Sequence, residues 1–213
     1  MQLSAVIFDY GYVLCLPPRE EDFEVLRKLS GIDGSVFRPL YWRHRHEYDC
    51  GVLDGPAYWH KVAAEAGAEF SAELIADLIV HDNQLWIHPN PPMVAWVHAL
   101  RDRGLKTAVI SNMPRDFSAH LRQYAKWLDV FTHLTFSGEL RQCKPGAAIY
   151  QTCLTSLDVP AEQALFIDDI EANVTAARNV GLHALVFQSV EKLRADLEPF
   201  GLAASLEEAA RAR

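Results

Sequence analysis

Five short apolar runs recur along the chain, at residues 5–8, 107–110, 134–136, 164–167 and 184–187. Runs this short and this apolar are typical of strands buried on both faces. Between them lie longer stretches with helical character, at residues 92–103, 114–128, 147–157 and 171–180. The alternation predicts a three-layer α/β core in which helices cover both faces of a mainly parallel sheet.

Residues 16–88 break this rhythm. They carry helical patterns at 21–29, 35–49, 55–67 and 72–80 and no strand pattern. Because the segment follows the first strand directly, we predict a small all-helical cap of residues 16–88 placed over the core, which comprises residues 1–15 and 89–213. Near the C-terminal end, Val190, Leu193, Leu197 and Phe200 recur at spacings of three and four, which predicts a docked amphipathic helix.

Composition narrows the classes of function. The formal net charge is -8, from 20 basic and 28 acidic residues. The resulting negative field disfavours nucleic acid and anionic membranes as partners. No stretch of about 18 apolar residues is present, so we predict no membrane span. Asp9 interrupts the first apolar run, which does not fit a secretory signal, and we expect a cytoplasmic protein.

The spacing of the cysteines is also consistent with a cytoplasmic protein. Cys15, Cys50, Cys143 and Cys153 form no C-x-x-C pair and no metal-ligand spacing. Cytoplasmic proteins keep their thiols reduced. We therefore predict four reduced thiols.

Polar side chains follow four of the predicted strands. In an open parallel sheet, ligands bind at the carboxyl ends of the strands, so these positions are the candidates for chemistry. The candidate residues are Asp9, Ser111, Asn112, Lys144, Asp168 and Asp169.

These residue types suit one kind of reaction. Asp9 could act as a nucleophile, and Gly11 lets the backbone approach a ligand closely. Asp168 and Asp169 beside it would repel one another unless a cation neutralised them, and oxygen ligands favour Mg²⁺. Lys144 supplies a positive charge that could hold a phosphoryl group near the anionic nucleophile. The helix start after Ser111 could also bind a phosphate.

The chain resembles the haloacid dehalogenase superfamily, whose four motifs it matches in order. The resemblance implies a Rossmann-like core, a helical cap after the first motif and a covalent aspartyl-enzyme mechanism. The matching segments are residues 6–14 around Asp9, residues 109–112, Lys144-Pro145 with Ile149-Tyr150, and residues 166–169 continuing through Asn173, Ala176, Ala177 and Gly181.

The resemblance also implies residue roles. Asp9 would attack the substrate, and Ser111 with Asn112 would hold the transferred group. Lys144 would stabilise both nucleophile and phosphate. Magnesium would be bound by Asp9, by the backbone carbonyl of Gly11, and by Asp169 with help from Asp168.

One departure concerns the general acid. Phosphatases of this superfamily usually carry a second Asp two residues after the nucleophile, and here that position is Gly11. The chain shares Asp-x-Gly with a branch similar to bacterial glucose-1-phosphate phosphatases. A leaving group of low pKa, such as the anomeric hydroxyl of a sugar 1-phosphate, would lessen the need for an acid. Alternatively, a Tyr, a His or a water from the cap could deliver the proton, and the candidate side chains are Tyr12, His44, His46 and Tyr48.

We therefore expect a magnesium-dependent phosphohydrolase acting on a small phosphorylated metabolite, such as a sugar phosphate, through an aspartyl-phosphate intermediate. Two alternatives stay open. One is a metal-independent 2-haloacid dehalogenase, although that class carries a Tyr where this chain has Gly11. The other is a catalytically weak binding scaffold, which the missing acid would explain.

Overall fold

A computed structural model describes residues 3–211. In it, one sheet of five parallel strands has the order β3-β2-β1-β4-β5. Each predicted strand is confirmed to within one residue at either end. The strands are β1 (Ala5–Phe8), β2 (Lys106–Ser111), β3 (His133–Phe136), β4 (Ala164–Asp168) and β5 (His183–Val186).

Helices make up most of the remaining chain. Among the described residues, none of them combines the length and the apolar character that crossing a bilayer requires. They are α1 (Glu20–Ser30), α2 (Gly34–Arg43), α3 (Arg45–Asp49), α4 (Gly55–Glu65), α5 (Ala72–Leu85), α6 (Pro91–Asp102), α7 (Arg115–Tyr124), α8 (Ser137–Leu140), α9 (Ala147–Leu157), α10 (Glu171–Val180), α11 (Val190–Asp196) and α12 (Ala203–Arg211).

Helices cover both faces of the sheet. Because side chains alternate along a strand, Val6 and Phe8 of β1 face a cluster that includes Trp96 of α6. Their neighbours Ala5 and Ile7 face the opposite cluster, which contains residues of α9 and α10. This arrangement confirms the predicted three-layer α/β fold, and the sheet is parallel throughout the described chain.

The five helices between β1 and α6 pack around a separate hydrophobic cluster with Tyr41, Tyr58 and Trp59 fully buried in it. The described part of residues 16–88 contains no strand, as predicted. The pattern at 35–49 predicts one helix, but the chain breaks at His44 into α2 and α3. The division into residues 16–88 and 1–15 with 89–213 stays a prediction.

Two further helices differ from prediction. The segment 114–128 is not one helix, because α7 ends at Tyr124 and a 3₁₀ turn follows at Lys126–Val130. The predicted tail helix is likewise α11 followed by a 3₁₀ turn. Helix α12 was not predicted, and it docks where Trp96 Nε1 donates to Ser205 Oγ over 2.9 Å.

The prediction of four reduced thiols is wrong for two of them. Cys50 and Cys143 form a disulfide, with their Cα atoms 5.5 Å apart across a sequence separation of 93 residues. Cys15 and Cys153 are free and buried. No local pattern indicates the pairing, because it depends on packing the end of α3 against the loop before Lys144.

Candidate active site

The parallel register brings the candidate residues to one edge of the sheet. Phe8 of β1 pairs with Val109 of β2 and with Ile167 of β4. The backbone N–H of Asp9 continues the ladder by donating to the carbonyl of Ile167 over 2.8 Å. Asp9 and Asp168 therefore leave the sheet side by side.

Lys144 joins these two carboxylates. Its Nζ lies 2.8 Å from Oδ1 of Asp9 and 2.6 Å from Oδ2 of Asp168, and the lysine side chain is 1% exposed. Charge-assisted contacts this short in a buried setting fix the positions of all three groups. Burial alone would lower the pKa of Lys144, but the charges of Asp9 and Asp168 outweigh it and raise that pKa. The lysine therefore stays cationic.

Asn112 holds the backbone of Lys144. Its Nδ2 donates to the carbonyl of Lys144, and its Oδ1 accepts from the N–H of Lys144, both over 2.9 Å. Both ends of the amide are thus used within the protein. The contact assigns Asn112 a part in placing Lys144, which the sequence did not indicate.

Asp168 is saturated by internal contacts. Besides Lys144, it accepts from the N–H of Ile170 over 2.8 Å and from Nδ2 of Asn173 over 3.0 and 3.1 Å. It is fully buried and does not line the cavity. Asp168 is therefore better placed to hold Lys144 than to bind a ligand.

Asp9 and Asp169 face the cavity and carry excess negative charge. Burial raises the pKa of Asp9, and the charges of Asp168 and Asp169 add to the effect while Lys144 opposes it. Burial and the neighbouring Asp168 also raise the pKa of Asp169. One lysine thus does not fully compensate the acidic group.

The donor set fits a hard divalent cation. Asp9, Asp168 and Asp169 each offer a carboxylate oxygen within 4.8 Å of the others. Among residues 3–211, the Asp169 side chain has no hydrogen-bond partner that would compete for a metal. Oxygen donors with unneutralised charge are what Mg²⁺ binds in proteins.

The cavity at this edge has a volume of about 360 Å³. Of the predicted residues, Asp9, Gly11, Ser111, Asn112, Lys144 and Asp169 line it, and Asp168 does not. Opposite them lies a wall supplied largely by the inserted helices and by the loop after Asp9. That wall consists of Tyr12, Trp42, Arg45, His46, Asp49 and Trp86.

The four residues considered as proton donors separate in space. Tyr12 and His46 line the cavity, whereas His44 bonds Glu65 and Tyr48 donates to Asp116. Asp49 also lines the cavity, although the sequence did not identify it. Its nearest sequence signal is its place one helical turn after Arg45.

Known proteins similar to this chain are hydrolases and phosphatases. The family model described as haloacid dehalogenase-like hydrolase matches residues 16–181. The chain is 26% identical over 183 residues to the sesquiterpene phosphatase astK of Aspergillus oryzae, covering 85% of this chain and 88% of that protein. It is also 25% identical over 227 aligned residues to the bifunctional epoxide hydrolase 2 of Sus scrofa, covering 93% of this chain and 39% of that protein. The chain thus spans well under half of the latter protein.

A solved structure shows the same fold. A haloacid dehalogenase family enzyme from Bacteroides thetaiotaomicron, in complex with magnesium and inorganic phosphate, superimposes with a TM-score of 0.70. The two chains are 18% identical, and the match covers 87% of this chain and 94% of that one. At this identity the likeness extends to the fold and does not separate a phosphohydrolase from a dehalogenase.

Proposed function

The chain belongs to the haloacid dehalogenase-like hydrolase family, and from that premise we propose that it is a magnesium-dependent phosphohydrolase acting on a small phosphorylated metabolite. One observation carries the proposal. A carboxylate oxygen of Asp9 lies 2.8 Å from the Lys144 ammonium. The carboxylate of Asp169 lines the same cavity as these two groups. A nucleophile, a fixed cation and a metal-binding carboxylate thus converge on one space.

In the proposed reaction, Asp9 attacks phosphorus and forms an aspartyl-phosphate, which water then hydrolyses. Lys144 stays cationic and attracts the phosphoryl oxygens towards Asp9. Ser111 Oγ makes no side-chain hydrogen bond within residues 3–211 and lines the cavity, so it is available to a phosphoryl oxygen. Asn112 acts mainly by holding the Lys144 backbone.

Magnesium would be held by Asp9, Asp169 and the carbonyl of Gly11, with Asp168 in support. When bound, it would neutralise charge on the phosphoryl group and on the acidic cluster. The raised pKa of Asp169 supports this assignment, because a half-buried carboxylate beside another acidic group favours a cation next to it.

The cavity also supports a small substrate. A volume of about 360 Å³ lies in the range of small-molecule sites. Its wall combines the aromatic rings of Tyr12, Trp42 and Trp86 with the polar groups of Arg45 and His46. An organic group with both apolar and hydroxyl-bearing faces, as in a sugar phosphate, matches that mixture. The similarity to a sesquiterpene phosphatase, which covers 88% of that protein, supports a phosphoester substrate.

A screen of phosphorylated metabolites with Mg²⁺, run beside Asp9→Asn, tests the proposal. We expect phosphate release by the native chain that EDTA abolishes, and none by Asp9→Asn, because an amide cannot act as the nucleophile. Turnover of 2-haloacids that survives EDTA would instead establish a dehalogenase. Absence of turnover on every substrate, with Asp9→Asn indistinguishable from the native chain, would establish a scaffold.

A further inference from the structure

Position 11 leaves the proposed reaction without a proton donor. A leaving alkoxide needs a proton as its bond to phosphorus breaks, and Gly11 has no side chain to supply one. For a substrate whose leaving group is an ordinary alcohol, the donor has to come from another group in the cavity wall. Asp49, at the end of α3, is the carboxyl group that the inserted helices contribute to that wall.

We propose that Asp49 is the general acid and base of this enzyme, donating a proton to the leaving group and then accepting one from water. The proposal rests on the proposed phosphohydrolase function. It assigns a catalytic role to a residue outside the four sequence motifs.

The position of Asp49 is fixed from the side of the sheet. Its backbone carbonyl accepts a hydrogen bond from Ser137 Oγ, at the carboxyl end of β3. The next residue, Cys50, is disulfide-bonded to Cys143, which directly precedes Lys144. Two independent contacts thus hold the end of α3 against the core, one at the carboxyl end of β3 and one beside Lys144.

The backbone of Gly51, which follows Cys50, also packs closely against the core. Gly51 has φ +71°, and a Cβ there would lie 2.8 Å from the carbonyl oxygen of Gly138. A side chain at this position would force α3 away from α8. The glycine therefore allows the end of α3 to approach the core closely enough for Asp49 to enter the cavity.

The Asp49 carboxyl has one oxygen engaged and one available. Oδ1 accepts from Nε of Arg45 over 2.7 Å. Within residues 3–211, Oδ2 has no hydrogen-bond partner. The Arg45 pair fixes the rotamer of the carboxyl while leaving an oxygen to exchange a proton with a ligand.

Charges around Asp49 permit it to change protonation state. Burial raises the pKa of Asp49 to about 6, with Arg45 opposing the rise and Asp82 adding to it. The positive charge of Arg45 is divided between Asp49 and Asp82, because its Nη1 lies 2.9 Å from both carboxylate oxygens of Asp82. His46 lies on the same helix, and Lys144, Asp9 and Asp169 line the same cavity. A carboxyl with a pKa near the working pH suits an acid that must later act as a base.

The two other candidate proton donors in the cavity wall, His46 and Tyr12, are held less firmly than Asp49. His46 is exposed, and its Nε2 lies 3.6 Å from Cys50 Sγ. Tyr12 is 41% exposed, and burial raises the pKa of its hydroxyl above its ordinary value. Neither side chain is fixed by an ion pair as Asp49 is.

The proton balance closes over one turnover. In the first step the Asp9–phosphorus bond forms, the bond to the leaving oxygen breaks, and that oxygen takes the Asp49 proton to leave as an alcohol. In the second step water attacks phosphorus and gives a proton to the Asp49 carboxylate. The Asp9–phosphorus bond then breaks, which releases phosphate and restores both aspartates.

A leaving-group series tests this role. Asp49→Asn keeps an oxygen acceptor for Arg45 but cannot donate a proton as an acid. We expect kcat/KM for an alkyl phosphate to fall about 10²- to 10⁴-fold. With 2,4-dinitrophenyl phosphate, whose leaving group needs no proton, we expect a change of less than about tenfold. Asp116→Asn, the same change at a carboxyl outside the cavity wall, controls for the substitution itself.

The outcomes separate the two proposals. Equal losses on both substrates in Asp49→Asn, or no loss on either, would overturn the role of Asp49 while leaving a phosphohydrolase. A selective alkyl-phosphate loss in His46→Gln instead would assign the proton to His46. If the native chain hydrolyses neither substrate with Mg²⁺, the proposed function itself fails. Circular dichroism of each variant shows whether a loss reflects misfolding.

Discussion

The Nζ atom of Lys144 lies 2.8 Å from Oδ1 of Asp9, and both side chains are buried at the carboxyl edge of the sheet. Desolvating two such charges is costly, and attraction repays the cost when the geometry is good. A second carboxylate, that of Asp168, lies 2.6 Å from the same Nζ, so the cluster of one lysine and two aspartates is net acidic. Structural stability and the chemistry of the site therefore depend on the same lysine.

Replacing Lys144 should expose that dependence. Lys144→Met keeps the volume but leaves Asp9 and Asp168 buried without a cation, which we expect to cost about 3–5 kcal/mol of unfolding free energy at pH 8. The loss should shrink on acidification, because the folded variant binds protons more tightly than the unfolded chain and regains stability as pH falls.

Urea unfolding at pH 5 and pH 8 measures the effect. Lys61→Met, which removes an ion pair between half-exposed side chains, is the control. If the unfolding free energies of Lys144→Met and Lys61→Met changed equally with pH, the buried cluster around Lys144 would have no special effect on stability, which would contradict the prediction.

Asp168 and Asp169 should behave differently although they are neighbours. Asp168→Asn weakens the hold on Lys144, and we expect a loss of about 3 kcal/mol in unfolding free energy without metal. Asp169→Asn removes a carboxylate without an internal partner, so stability without metal should change by less than about 0.5 kcal/mol. Magnesium affinity should instead fall by more than about tenfold.

Calorimetric titration with Mg²⁺ and urea unfolding in EDTA separate these effects. The assignment of Asp169 to the metal would be wrong if its replacement left magnesium affinity unchanged.

The free energy of unfolding should also depend on pH through the ionisation of Asp49. Its folded pKa of about 6 exceeds the ordinary 3.8, so ionising it costs the folded state more than the unfolded one. The native chain should lose stability from this group between pH 4 and pH 7. The side chain introduced by Asp49→Asn does not ionise, so this variant should not lose stability in this way. Between pH 4 and pH 7, its unfolding free energy should therefore rise relative to that of the native chain by up to about 3 kcal/mol. Thermal unfolding curves across the range check this; curves that stay parallel would contradict it.

The disulfide gives a chemical prediction. After denaturation without reductant, iodoacetamide should label Cys15 and Cys153, and after reduction it should label all four cysteines. Reduction opens a loop closed across 93 residues, which we expect to cost about 4–5 kcal/mol in the chain-entropy model. Labelling of four cysteines in freshly purified, unreduced protein would show that the bond does not form in the cell.

Restoring a carboxyl at position 11 should compensate for losing Asp49. A Cβ at Gly11 would meet Trp86 at an ordinary distance of 3.9 Å, so the backbone accepts a side chain. Gly11→Asp combined with Asp49→Asn should recover alkyl-phosphate hydrolysis by about tenfold or more over Asp49→Asn alone. Gly11→Asn in the same background is the matched control, and equal recovery by both would count against proton transfer as the cause.

Local pattern was enough to predict much of this molecule. Short apolar runs such as residues 5–8 and 164–167 predicted strands because a strand buried on both faces has no polar side to show. The rule that parallel strands end at one edge then placed Asp9, Lys144 and Asp169 around one cavity. Helix breaks at His44 and Ala125 were missed, since hydrophobic periodicity continues across them.

The sequence by itself determined the α/β core and the acidic group at its edge, because both follow from periodicity and from the order of strands. Tertiary structure decided which partner each group has. It joined Cys50 to Cys143, turned Asp168 inward to Lys144 and left Asp169 facing the cavity. It also brought Asp49 into the wall. These contacts join segments far apart in the chain, so they depend on how the inserted helices pack against the sheet and not on any local spacing.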